Sequence, residues 1–284
     1  MKAKQILRQH DFRPKKSWGQ NFLISDKARD KIIEAAEIAP ADTLIEIGPG
    51  LGVLTGSLVK CSRNVIAIER DERLCRILKE LLAGVKNLQI VCRDILKIDL
   101  PDLTRCRSIN SAKEPVSNRV KVVGNLPYYI TTPIIFHLLK FRKIIDLILI
   151  TVQKEVGRRI LAVPGTRDYS SLSVAIKFYC QPELVGIIKK GSFYPRPKVD
   201  SSIIKMNVLN QPSAGVNDEE KFFKLVRTSF NKRRKTVLNA LAGLDYFGMN
   251  KNEWLVIFEK AGLDPGRRAE TFSVAEYAKL SNLV

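Results

Sequence analysis

Asn125, Leu126, Pro127 and Tyr128 put a carboxamide, a rigid peptide and an aromatic ring at consecutive positions. Such a set suits the holding of a flat heterocycle that carries an amine. Pro127 fixes its own φ and biases Leu126 towards an extended conformation, so the Leu126 carbonyl is held in place while the Pro127 nitrogen has no proton to offer. The local supply is therefore rich in acceptors. Taken alone, the same four residues read equally well as a strand that runs into a proline turn.

A second set lies upstream. Gly48, Gly50 and Gly52 follow a short apolar run at 43–47 and precede an apolar helix expected over 53–59. Strand, glycine loop and helix make a nucleotide-type binding turn, in which the missing side chains let a ligand approach the backbone N–H groups at the helix start. A dinucleotide fingerprint, G-x-G-x-x-G, would need glycine at 53, where this chain has Val53. The spacing found, G-x-G-x-G, is the one usual in enzymes that bind S-adenosylmethionine. Glu69 then ends a second strand at 64–68, where an acid can accept hydrogen bonds from both ribose hydroxyls. Asp94 follows a third strand at 88–92, where it can meet the exocyclic amine of an adenine. Each feature alone also has a structural explanation, as a tight packing turn or a helix cap. In this order they point to an adenosyl ligand.

These residues need a sheet that gathers strand ends on one edge, and the remaining pattern supplies it. An apolar run at 120–123 leads into Asn125, and further strands are expected over 146–152, 184–188 and 202–208, about seven in all. Helices are expected over 27–39, 71–82, 133–140, 154–161 and 171–178. The stretch 101–119 is rich in Ser, Asn, Arg and Lys and reads as an exposed insertion. Phe193 opens a loop with Tyr194, Pro195, Arg196, Pro197 and Lys198. That loop is either a proline-rich connector or a surface that lays an aromatic face on a base. After a linker-like stretch at 210–217 the pattern is helical only, over 219–229, 235–241, 251–261 and 274–280. Between the first two of these helices, Lys232, Arg233, Arg234 and Lys235 form a cationic cluster able to meet several phosphates at once.

The totals narrow the partners. The 284 residues carry 48 Lys and Arg against 29 Asp and Glu, a formal charge of +19. A polyanion is the expected partner, and nucleic acid fits better than a membrane because the charge recurs along the whole chain. No uncharged apolar run reaches the roughly 18 residues of a membrane span, and the first twenty residues or so hold no apolar core of a secretory signal. A cytoplasmic protein is expected. Cys61, Cys75, Cys92, Cys106 and Cys180 contain no CxxC pair and the two histidines lie far apart, so neither a metal site nor a disulfide framework is expected.

The chain resembles the KsgA-type small-subunit rRNA adenine dimethyltransferases. The blocks that carry the resemblance are GQNFL at 19–23, EIGPGLGVLT at 46–55, Glu69, Asp94 and GNLPYYITTPI at 124–134, followed by FYPRPKVDS at 193–201, FNKRRKTVLNAL at 230–241 and RRAET at 267–271. The resemblance implies an α/β, Rossmann-like class I S-adenosylmethionine-dependent methyltransferase domain over 1–209 and a small all-helical RNA-binding domain over 217–284. It implies contacts to S-adenosylmethionine from the positions of Asn21, Leu23, Gly48, Glu69, Asp94 and Asn125, with Gly50 in the same loop. It also implies dimethylation of two adjacent adenosines in the hairpin loop near the 3′ end of small-subunit rRNA, within the immature ribosomal subunit. The insertion at 101–119 is longer than the resemblance leads one to expect. The mechanism expected on this basis has the Asn125 side-chain oxygen and the Leu126 carbonyl accept the two N–H bonds of the adenine amine, while Tyr128 and Phe193 stack on the two faces of the base. A monomer is expected. A large-subunit rRNA adenine dimethyltransferase shares the fold and a related NxPY motif, and a ribosome assembly factor that binds an immature subunit is a further reading. The glycine spacing disfavours an NAD-dependent oxidoreductase.

Overall fold

The computed structural model describes residues 3–15, 18–105, 119–232, 234–243 and 247–284. The chain divides into two compact units: Met1–Gly157 with Glu183–Val208, and Arg158–Pro182 with Leu209–Val284. The segment 158–182, expected within a domain that ends at 209, thus groups with the C-terminal helices.

In the first unit, helix α1 (Ala3–Gln9) and strand β1 (Phe22–Leu23) precede α2 (Asp26–Ala35), β2 (Thr43–Ile47), α3 (Thr55–Cys61), β3 (Asn64–Glu69), α4 (Glu72–Leu81) and β4 (Leu88–Cys92). Then come α5 (Leu100–Arg105), β5 (Val120–Asn125), α6 (Thr131–Lys140), β6 (Ile145–Gln153) and α7 (Lys154–Leu161), whose residues from Arg158 on belong to the second unit. Beyond α8 (Ser171–Tyr179) follow β7 (Cys180–Ile188), β8 (Phe193–Tyr194) and β9 (Ser201–Val208). The main sheet has seven strands in the order β4-β3-β2-β5-β6-β9-β7. Pairs β4–β3, β3–β2, β2–β5 and β5–β6 are parallel, while β6–β9 is antiparallel.

The near-continuous apolar runs of β2, β3 and β6 are those of strands covered on both faces. Leu44, Ile45, Val65, Ile66, Ile148 and Ile150 are all fully buried. Strand order reverses at β2, which has β3 on one side and β5 on the other, and in open α/β sheets ligands bind at the carboxyl edge of such a switch point. The glycine loop leaves β2 at that edge and Asn125 ends β5 beside it, in a register that pairs Ile47 with Gly124.

Several element ends differ from the sequence expectation for local reasons. Helix α2 stops at Ala35 rather than 39 because Glu37 turns left-handed, with φ of 48°. Its side chain instead reaches Lys205 at 2.6 Å. Helix α3 starts at Thr55 rather than 53 because Gly52, with φ of 78°, still belongs to the loop. Cys75, in the first turn of α4, is joined to Cys92 at the end of β4 as a disulfide. This corrects the expectation of unpaired thiols: α4 packs on β4 and brings together residues that are 17 positions apart. Of the expected insertion, residues 106–118 lie outside the described residues.

The second unit combines α8 with α9 (Glu219–Asn231), α10 (Val237–Ala242), α11 (Lys251–Ala261) and α12 (Val274–Ser281). Phe178 stacks on Phe222 with ring centroids 4.6 Å apart, and both are fully buried with Trp254, Phe258, Phe272 and Tyr277. Arg267 clasps this unit: its guanidinium donates to Glu276 at 2.5 Å and to the Thr271 carbonyl at 2.6 Å, and the bond to Glu276 draws that carboxyl down to about 2. The RRAET block is therefore internal scaffolding.

Candidate active site

One pocket of the first unit takes most of its lining from five chain segments: 18–23, the glycine loop from Glu46 to Leu54, the β3 end at 68–70, the β4 end at 93–95, and the turn from Asn125 to Ile130. Of the predicted residues, it brings together Asn21, Leu23, Gly48, Gly50, Glu69, Asp94, Asn125, Leu126, Pro127 and Tyr128.

The glycine loop shapes one end. Gly50 has φ of 57°, and a Cβ there would lie 2.9 Å from the Phe22 ring. A side chain at that position would both strain the backbone and displace the ring. The Gly50 N–H donates to Glu69 Oε2 at 3.2 Å, while the N–H groups of Arg70 and Asp71 both donate to Oε1 at 2.9 Å. Burial pushes the Glu69 carboxyl upward, and these backbone donors oppose it. Asp94 accepts the Leu96 N–H at 3.1 Å through Oδ1, and its Oδ2 lies 3.8 Å from Arg70 Nε.

The other end is the turn after β5. Asn125 Nδ2 donates to the Asn21 carbonyl at 2.9 Å, and Asn21 Nδ2 donates to the Gly19 carbonyl at 3.0 Å. A carbonyl can only accept, so the Asn125 amide is orientated by chemistry, nitrogen towards Asn21. No described residue donates to Asn125 Oδ1 or to the Leu126 carbonyl, whereas the Pro127 carbonyl already accepts from Ile130 and Thr131. Tyr128 is half-buried, its hydroxyl 2.6 Å from Ser201 Oγ, and burial raises its phenol above the ordinary range.

The two ends meet at Gly48. A Cβ on this residue, whose φ is 69°, would lie 3.5 Å from the Asn125 carbonyl oxygen and 4.0 Å from Pro127 Cδ. Glycine keeps that gap open. An adenosyl donor fits the residues present, with carboxylates at two strand ends, an exposed-backbone cradle between them, and an open passage to the turn that carries the free acceptors of Asn125 and Leu126.

Phe193 departs from expectation. Its ring is 2% exposed, it does not line the pocket, and it sits in the core cluster with Leu23, Val123 and Ile203. The reason is the small β1–β8 ladder, which pairs Leu23 with Phe193 and Phe22 with Tyr194, so that Phe193 turns to the core side. The FYPRPKVDS block serves the pocket instead through Ser201, which holds the Tyr128 hydroxyl.

Sequence reasoning also missed Glu46, Arg70 and Tyr129, which line the pocket. Glu46 is 1% exposed, its Oε2 has no hydrogen-bond partner among the described residues, and burial lifts its carboxyl to about 8. Thr55 beside it opposes that shift in part, and the charge of Glu69 adds to it. In an apolar strand Glu46 has no distinguishing neighbour, and its depth is a signal that only the fold supplies.

In the second unit, Lys232, Arg234 and Lys235 are exposed where α9 ends, while Arg233 lies outside the described residues. Among the described residues no group of three His, Cys, Asp or Glu could hold a metal ion.

Comparison with known proteins agrees with this geometry. The family model described as "Ribosomal RNA adenine dimethylase" matches residues 11–284. "Ribosomal RNA small subunit methyltransferase A" of Moorella thermoacetica is 45% identical over 276 residues, covering 97% of this chain and 94% of the relative. The protein of the same description from Clostridioides difficile is 42% identical over 282 residues, covering 99% of this chain and 94% of the relative. Among solved structures, a dimethyladenosine transferase from Plasmodium falciparum superposes with a TM-score of 0.70 at 27% identity, covering 91% of this chain and 95% of that one. The 23S rRNA methyltransferase ErmE gives 0.67 at 26% identity, covering 93% of this chain and 99% of that one. The class I fold with a helical C-terminal part and the use of S-adenosylmethionine follow from the same matches. The pocket, the fold and the near full-length matches agree: the chain belongs to the ribosomal RNA adenine dimethylase family.

Proposed function

We infer that the protein transfers two methyl groups from S-adenosylmethionine to N6 of adenosine in small-subunit rRNA. The observation that carries the reading is the amide orientation of Asn125, with Nδ2 committed to the Asn21 carbonyl and Oδ1 left as an acceptor next to the unengaged Leu126 carbonyl.

Adenine's exocyclic amine is a weak nucleophile because its lone pair is delocalised into the ring. Two acceptors that take its N–H bonds favour a pyramidal nitrogen, with the lone pair freed for attack. In this reading Asn125 Oδ1 and the Leu126 carbonyl are those acceptors, and Tyr128 stacks on the base. S-adenosylmethionine, when bound, supplies a methyl group on a cationic sulfur. Asn21, Leu23, Gly48, Gly50, Glu69, Asp94 and Asn125 hold the donor, Glu69 facing the ribose hydroxyls and Asp94 the adenine amine. The open gap at Gly48 admits the reacting atoms. Positioning and electrostatics suffice, since the proton leaves once the methylated amine is cationic. A base in a hairpin loop costs least to swing into such a pocket.

The small-subunit assignment is supported by relatives above 40% identity that are small-subunit methyltransferases, against 26% for the 23S enzyme of the same fold. The target proposed is the pair of adjacent adenosines in the 3′-terminal hairpin loop of an immature subunit. The cationic cluster of Lys232, Arg233, Arg234 and Lys235 is proposed to hold the RNA backbone. Because the whole pocket lies within one unit of one chain, the protein is proposed to act as a monomer. The test is labelled methyl transfer to unmethylated small and large subunits in parallel, followed by mapping of dimethyladenosine. Label at two adjacent adenosines of the small-subunit hairpin is expected. Label confined to the large subunit would instead support the reading that the 23S enzyme suggests.

A further inference from the structure

We propose that Trp18, Arg70 and Tyr129 form a second base-binding station at the pocket, which receives the nucleotide next to the target adenosine. The proposal rests on the reading that the pocket methylates RNA, and it adds a subsite to that reading.

Tyr129 directly follows Tyr128, yet its surroundings differ. The Tyr128 ring is half-buried and its hydroxyl is tied to Ser201, whereas Tyr129 is 47% exposed, a large aromatic surface left open to solvent. Its hydroxyl oxygen accepts a hydrogen bond from Arg70 Nη1 at 3.2 Å. The Arg70 guanidinium lies over the Trp18 ring at 4.8 Å from its centroid, and Lys15 Nζ lies 4.2 Å from the same centroid. Gly19 lets these pieces close up, since a Cβ there would stand 3.4 Å from the Tyr128 nitrogen and 3.6 Å from Tyr129 Cδ1. Two aromatic rings, a planar cation and an ammonium thus converge from three separate segments, and all but Lys15 line the pocket that holds the target.

This chemistry matches one class of occupant. A nucleobase offers a flat π-face for the tyrosine ring or the guanidinium, and its phosphate offers a negative charge to Lys15 and Arg70. Such stacking tolerates any base, which suits a neighbour that need not be read by sequence. Neither ring is needed for the core: Tyr129 and Arg70 are exposed and Trp18 is only half-buried. Arg70 also contacts Asp94, so the station adjoins the donor end of the pocket as well as the acceptor turn.

The test compares methyl transfer to unmethylated immature small subunits, reconstituted with rRNA whose 3′-terminal hairpin carries the two adjacent adenosines, with transfer to subunits whose hairpin has the 5′ or the 3′ neighbour of the target abasic. For subunits with the intact hairpin, Tyr129→Ala is expected to raise the KM for RNA about tenfold, with unchanged melting temperature and unchanged S-adenosylmethionine affinity. On one of the abasic hairpins the difference between Tyr129→Ala and wild type is expected to vanish. Trp18 emission supplies a second readout, because the other tryptophan, Trp254, is fully buried. Quenching by the intact hairpin but not by that abasic one is expected. An equal loss on all three RNAs, or no loss on any, would overturn the station while leaving the methyltransferase reading intact. Failure of the wild type to methylate the intact small subunits would overturn both.

Discussion

Asn125 and Asn21 lie 104 positions apart in sequence, yet the side-chain nitrogen of the first donates to the backbone carbonyl of the second at 2.9 Å. This bond does two things. It ties the GQNFL segment to the end of β5, and it turns the Asn125 carboxamide so that only its oxygen remains to meet an amine. The Leu126 N–H is likewise engaged, by the Thr151 carbonyl at 3.2 Å, which holds the peptide whose own carbonyl is the proposed second acceptor.

Tyr128 and Ser201 separate stacking from anchoring. Tyr128→Phe keeps the ring and removes only the 2.6 Å hydrogen bond to Ser201, so a loss of no more than a few-fold in kcat/KM is expected. Tyr128→Ala removes the face on which the base is proposed to rest, and a loss of about 10- to 100-fold is expected from stacking worth about 1–3 kcal/mol. Steady-state kinetics on the same RNA decide this, and equal losses in the two variants would assign Tyr128 to anchoring alone.

Glu46 makes a pH prediction with a definite sign. Its folded pKa of about 8 stands above the ordinary 4.5, so the folded state holds a proton that the unfolded chain releases between those values. Its contribution is therefore intact below about pH 4.5 and is lost as the pH rises to about 8. Glu46→Gln removes that titration. The variant is expected to gain stability relative to wild type across this window, by up to a few kcal/mol at the alkaline end, as read by denaturant unfolding at several pH values. A stability difference that does not change with pH would contradict the assignment.

The cationic cluster predicts a salt signature. Replacing Arg234 and Lys235 with Gln is expected to weaken RNA binding and to flatten the slope of log K against log salt by about 0.7–0.9 for each phosphate that is no longer neutralised. An unchanged slope would mark these exposed residues as solvated surface.

Much of this site could be read from the chain because its pieces are local. The G-x-G-x-G loop, Glu69 and Asp94 each follow an apolar run, and a parallel sheet places such strand ends on one edge whatever the details of packing. Asn125 to Tyr128 were legible for the same reason. What was not legible depends on pairing between distant segments. Phe193 and Tyr194 alternate in direction along a strand, and only the register with Phe22 and Leu23 decides which ring enters the core. The Cys75–Cys92 bond needs α4 laid on β4. Residues 158–182 have the helical pattern of either unit, and only their packing assigns them.

The most direct measurement is single-turnover methyl transfer by Asn125→Ala on unmethylated small subunits, with RNA binding and S-adenosylmethionine binding measured on the same preparation. The account predicts transfer slowed by about 100-fold or more, the scale of losing one well-placed electrostatic partner, with RNA affinity within about twofold of wild type. Near-normal transfer would contradict it, because Oδ1 would then not be the atom that prepares the amine.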